Sequence, residues 1–208
     1  MRYTKGLCFL TIVVILSGCA TTQVARLSPN QIIWTPQTEF GRGIQQKFLN
    51  DFREIIKEVQ TSTSSSSVRF TKDGIAVIYR QEEPGVYYIL FYLFYNVVYN
   101  TLQTNYQKRA ASTYARNLFA LSKIISAHPN LFEEDKIIGF NIVFAWKATN
   151  FLEDRYKLFA AQEGINAFIP KEVLRDFAKM KISIQELSRK TIFISSIGRT
   201  ELDFSDTI

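Results

Sequence analysis

The sequence predicts an α+β domain with one mixed or mainly antiparallel sheet packed by three to four helices. Three observations carry the prediction. Apolar residues recur at helical spacing in separate stretches. Between them lie β-branched and aromatic runs of strand length. These runs are joined both by tight turns and by helices.

Taken in order, Phe40, Ile44, Phe48, Phe52, Ile55 and Val59 recur at spacings of four or three and mark the first helix, which ends at the polar run Thr61 to Ser67. Val68-Arg69-Phe70 and Ile75 to Tyr79 flank Lys72-Asp73-Gly74, which reads as a hairpin because Asp-Gly suits a two-residue turn. Glu83-Pro84-Gly85-Val86 places proline and glycine as a type II turn requires. Val86 to Tyr95 is an unbroken β-prone run, expected as a central strand covered on both faces.

Residues 105–127 return to helix, with Tyr114, Leu118, Leu121 and Ile125 as the buried stripe, and His128-Pro129 ends it. Ile137 to Trp146 and Gly164 to Ile169 read as strands. Asn150 to Glu163 between them is ambiguous and leans to helix. Pro170 is expected at the first position of a helix over 171–181 that buries Val173, Phe177 and Met180. Ser183-Ile184-Gln185-Glu186 has capping-box form and starts a short helix through Lys190; Ile192 to Ile194 is a last strand before a polar tail.

The N-terminus has a different character. Arg2 and Lys5 precede an apolar run from Leu7 to Leu16 that is too short to span a bilayer comfortably, and Leu16-Ser17-Gly18-Cys19 follows. This ending resembles the lipobox of bacterial lipoproteins. The resemblance covers residues 1–20 and implies removal of residues 1–18 and acylation of Cys19; the residues through 35 lack periodicity and read, with the lipidated cysteine, as a flexible tether over 19–35, and the length left suits one periplasmic domain over 36–208. The resemblance also implies stable membrane attachment, since two or more acyl chains hold where one does not. Ala20 stands where an inner-membrane retention aspartate would stand, so the expected location is the outer membrane on its periplasmic side. The inner membrane or a Gram-positive cell surface is the alternative.

Cys8 goes with the signal, so cleavage leaves no free thiol for a disulfide, a metal site or a nucleophile. The 208 residues carry 25 Lys and Arg against 19 Asp and Glu, a net +6, and two of those cations leave with the signal. The remaining excess suits anionic lipid or cell-wall polymers, and in this compartment nucleic acid is not expected as a partner.

Three features offer chemistry. From Pro84 through Gln107 no residue is charged. Tyr87, Phe91 and Tyr95 in this run could line an apolar ligand cavity; the run could also be a docking face, a second membrane element or simply a buried strand. Lys171, Arg175 and Lys179 share one helix face and could meet lipid phosphates or an acidic partner, or form an ordinary solvated face. His128, the only histidine, is expected to cap or to be exposed rather than to serve in a triad or as a zinc ligand. Glu133-Glu134-Asp135 and Glu153-Asp154-Arg155 read as solvated turns, and the first lacks the glycine and alternation of a calcium loop. No catalytic residue, metal or cofactor is expected. The reading is a membrane-anchored, non-catalytic binding or assembly module whose partner is an envelope protein, lipid or cell wall. The alternatives are a carrier of an apolar ligand beside residues 86–99 and, third, a motif-poor hydrolase of envelope polymers.

Overall fold

A computed structural model describes residues 27–36, 38–62, 67–79 and 85–205. The domain is α+β, with one six-stranded mixed sheet in the order β1-β2-β3-β4-β5-β6. The strands are β1 (Val68–Ile78), β2 (Tyr87–Asn100), β3 (Ile137–Thr149), β4 (Ala161–Pro170), β5 (Ile192–Ser195) and β6 (Gly198–Thr200). Only the β2–β3 pair is parallel. The parallel pair needs a crossover, and the long helix α4 (Tyr106–Ser126) with the short α5 (Asn130–Glu133) supplies it.

The first helical stretch is two helices, α2 (Glu39–Lys47) and α3 (Leu49–Thr61), broken at Phe48. Before them, α1 (Pro29–Ile32) lies within the stretch read as tether. Gln31 accepts the backbone N–H of Ser28 at 2.9 Å, and Ile32 and Ile33 are buried, with Ile33 bridged to Ile75. Two adjacent isoleucines bury enough apolar surface to dock this segment, so residues 27–35 of the stretch read as tether are packed on the domain. Downstream, α6 (Lys171–Ala178) and α7 (Ile184–Arg189) follow β4, and Ser183 and Glu186 form the expected capping box.

One sheet face holds the core. Ile89, Phe91, Leu93 and Tyr95 of β2 lie beside Phe140, Ile142, Phe144 and Trp146 of β3 and Ile165, Ala167 and Ile169 of β4, all buried. Helix α4 packs here through Tyr114, whose ring meets Phe144 edge-on at 5.0 Å and Phe193 at 5.6 Å. Its hydroxyl donates to the Ile142 carbonyl. The predicted stripe Tyr114, Leu118, Leu121 and Ile125 is buried in full.

Four expectations change. Lys72-Asp73-Gly74 is not a hairpin. It sits inside β1 as a bulge, where Thr71 to Gly74 lie opposite the single residue Tyr92. Asp73 takes a positive φ of 54°, and a Cβ on Gly74 would stand 2.7 Å from the Tyr92 carbonyl oxygen, so the Asp-Gly pair serves close approach rather than chain reversal. Asn150 to Ala160 is a loop held by turns, with β4 starting at Ala161. Met180 is exposed at positive φ beyond the end of α6, and Leu174 takes the buried place. The C-terminal tail returns Leu202 and Phe204 to the core. Of the type II turn, only Gly85, at φ 86°, falls within the described residues together with Val86.

Candidate functional site

The second sheet face is built from the alternate residues of the same strands. Leu90 pairs with Asn141 and Asn141 with Phe168; Tyr92 pairs with Val143 and Val143 with Asn166; Phe94 pairs with Ala145. Leu90, Tyr92, Phe94, Asn166, Phe168, Ile192 and Ile194 each keep partial solvent access, where their neighbours on the first face are sealed. Side chains here meet strand to strand. Phe168 lies edge-on to Tyr88 at 5.1 Å, the Arg69 guanidinium lies 5.3 Å over Phe94, and Gln162 donates to the Tyr92 hydroxyl at 3.1 Å. Exposed Lys147 and Arg199 sit at register positions of this face.

Near its middle, Asn141 is 2% exposed and its amide nitrogen finds no hydrogen-bond partner among the described residues. An unmet buried amide donor costs about 1–3 kcal/mol. The expectation that β2 is covered on both faces is corrected in part: one face is core, and the other keeps partial solvent access at Leu90, Tyr92 and Phe94 while Tyr88, Asn141, Val143 and Ala145 on it are buried. Partly exposed apolar side chains gathered on one sheet face make it the candidate interaction surface of the domain.

A cavity of about 180 Å³ opens between α3, α4 and the β1–β2 edge. Val59, Val68, Leu93, Leu121, Ile124 and Phe144 give it apolar walls, and Tyr95, Arg116 and Asn117 bring polar groups. Arg116 hydrogen-bonds the Tyr95 hydroxyl, which favours its charged form and raises its pKa further. The volume lies below the roughly 300–1,000 Å³ of small-molecule sites. It suits a short apolar segment rather than a whole lipid.

A polar cluster closes the sheet end nearest the start of α4. Buried Arg109 donates to Glu163 through Nε at 2.8 Å and Nη2 at 2.6 Å, and its Nη1 donates to the Thr104 carbonyl. Trp146 Nε1 donates to the same carboxylate at 2.7 Å, and the Tyr106 hydroxyl donates to the Gly164 carbonyl at 2.7 Å. These groups satisfy one another and tie α4 to β3 and β4, which is structural work. Burial, then the Glu163 charge, push the Tyr106 phenol up to about 12, while burial holds Tyr114 well above the ordinary tyrosine range. The unfolded phenol ionises near pH 10 and the folded one only near 12, so rising pH favours the unfolded state in between: the contribution is complete below pH 10 and is lost between 10 and about 12. The urea midpoint should fall through that window, and more gently in Tyr106→Phe. Equal slopes would remove Tyr106 from the cause.

The predicted site residues separate in space. Tyr95 lines the cavity, Phe91 lies sealed in the core, and Tyr87 stacks on Phe40 of α2 at 4.2 Å. The aromatic run is a strand paired on both sides rather than a spanning helix, and no helix among the described residues is long and apolar enough to cross a membrane. Of the basic stripe, Lys171 donates to the Glu134 carbonyl at 3.1 Å, Arg175 bonds Glu172 and lies over Phe132, and Lys179 is exposed. Two of the three cations are thus engaged within the fold. Glu134, itself paired with Lys47 at 2.8 Å, has its carboxyl lowered by that bond first.

His128 is neither exposed nor a cap. It is buried at the α4–α5 corner, where Nδ1 donates to Asp51 at 3.1 Å, with Glu58 3.6 Å from Nε2. Asp154 is likewise buried rather than solvated, because it organises its loop. Among the described residues no three metal-ligating side chains converge. Cys19 lies outside the described residues. The open face and the Arg109–Glu163 cluster escape sequence reasoning, although the alternation Leu90, Tyr92, Phe94 is visible once one face is known to be core. The chain matches no known protein family, no curated protein and no solved structure.

Proposed function

We propose that the protein is a lipid-anchored, non-catalytic binding module of the bacterial envelope that captures a protein partner on the open face of its sheet. The observation that carries this reading is the partly exposed, largely aromatic surface of Leu90, Tyr92, Phe94 and Phe168 on the second sheet face. The anchor rests on Arg2, Lys5, the apolar run and Leu16 to Cys19. Tethering to the outer membrane raises the local concentration of the face for a partner in the same envelope, so modest intrinsic affinity suffices. A second reading, a carrier of a short apolar group, is favoured by the cavity beside Tyr95 and Arg116.

Intact mass spectrometry of protein extracted from native membranes, with released small molecules analysed alongside, separates the two. The binding-module reading expects acyl mass on a chain beginning at Cys19 and nothing else bound. A stoichiometric apolar compound beyond the covalent acyl groups would put the carrier first. A chain without acyl mass would contradict the anchor.

A further inference from the structure

The loop joining β3 to β4 breaks the usual rule for apolar side chains. Leu152, Tyr156, Leu158 and Phe159 are 75%, 85%, 74% and 85% exposed. Single exposed hydrophobics are ordinary, but four on one loop tip are a concentration of apolar surface that water disfavours. The loop is not loose chain. Buried Asp154 accepts from the backbone N–H groups of Leu158 and Phe159, each at 2.9 Å, and from Thr149 Oγ1 at 3.3 Å. Lys157 takes a positive φ of 56° and lies 4.7 Å over the Phe151 ring. Asn100 Oδ1 accepts from the N–H of Leu102, another exposed apolar residue, and from that of Phe151, coupling the loop to the β2–α4 connection. A fixed framework therefore holds these side chains outward.

Charge and position indicate what they meet. Exposed Lys147, Arg155 and Lys157 surround the tip, and Glu153 is the one exposed acid among them. Cations around apolar tips fit an interface between anionic headgroups and acyl chains, with the long basic side chains staying at headgroup level. The described chain enters at the same end of the sheet: the Leu27 carbonyl accepts from Gln60 near the end of α3, and β1 then starts at Val68, paired with Tyr95 in the second half of β2. The loop follows the end of β3, which runs parallel to β2. Leu27 is eight residues from Cys19, a span of at most about 28 Å when extended.

We propose that this loop is a membrane-contact element that lays Leu152, Tyr156, Leu158 and Phe159 into the headgroup–acyl boundary of an anionic bilayer. The orientation, though not the chemistry, rests on the Cys19 anchor. Loop and anchor then fix the domain at two points, leaving the open sheet face directed away from the lipid to one side.

The test uses the full chain in phosphatidylcholine vesicles containing phosphatidylglycerol that carries a photoactivatable group on its acyl chain. After illumination, mass spectrometry maps the lipid adducts, and the intact mass of the same sample reports acylation separately, so loss of the anchor and failure of the loop are distinct results. Adducts should concentrate within residues 151–159 and fall at least about tenfold when Leu152, Tyr156, Leu158 and Phe159 are all replaced by serine. An unmodified loop would overturn the proposal, as would adducts spread evenly over exposed residues outside it. The wild-type adduct map decides the matter even if the serine variant folds poorly.

Discussion

Arg109→Ala should lower unfolding free energy by about 3–5 kcal/mol, the cost of leaving a largely desolvated partner without its counter-charge. Arg109 is 5% exposed, and its fork spans both Glu163 oxygens at 2.8 and 2.6 Å. Its removal leaves the Glu163 carboxylate with the Trp146 N–H and takes a donor from the Thr104 carbonyl. Arg109→Lys should recover only part of the loss, because an ammonium supplies the charge without the planar two-point geometry. Urea denaturation with an unchanged slope measures both. A loss under about 1 kcal/mol would mean that solvent screens the pair as it does at a surface.

The second large effect is a contrast between neighbours. Phe91→Ala should cost about 3–5 kcal/mol, since a fully buried ring leaves a cavity that its surroundings only partly fill. Phe91 is 0% exposed and packs 6.1 Å from Phe140 and 6.3 Å from Phe70. Tyr92→Ser, one residue on, should cost less, about 1 kcal/mol, because the ring is only partly buried and its hydroxyl bond to Gln162 is at the surface. Denaturation of the two variants side by side reads the difference. Equal losses would mean that the second face is covered after all.

That contrast also explains what could be read in advance. Segments with one apolar face were plain: the α4 stripe from Tyr114 to Ile125, and the Ser183–Glu186 cap, follow from spacing alone. β2 was harder because both of its faces are apolar. A strand with Tyr, Leu and Phe on its outer side looks the same in sequence whether a helix covers that side or water does. The β1 bulge was hidden for a related reason. Asp73-Gly74 fits a turn or a bulge, and only the pairing with Tyr92 decides. The loop after β3 carries apolar residues at helix-like intervals, and the buried carboxylate of Asp154 is what bends it otherwise. The Arg109–Glu163 pair joins residues 54 apart, so no local pattern announces it. Of the site, Tyr95 beside the cavity and the run through β2 were within reach of the sequence; the open face and its Asn141 were not.

A photocrosslinking amino acid in place of Tyr92, compared with one at exposed Lys57 of α3, tests capture on the second sheet face most directly in the native cells. Capture on this face predicts a defined adduct with one envelope protein from position 92 and none from position 57, with the position-92 adduct lost when Phe168 on the same face is replaced by aspartate. Equal adducts from both positions, or none from position 92, would contradict it.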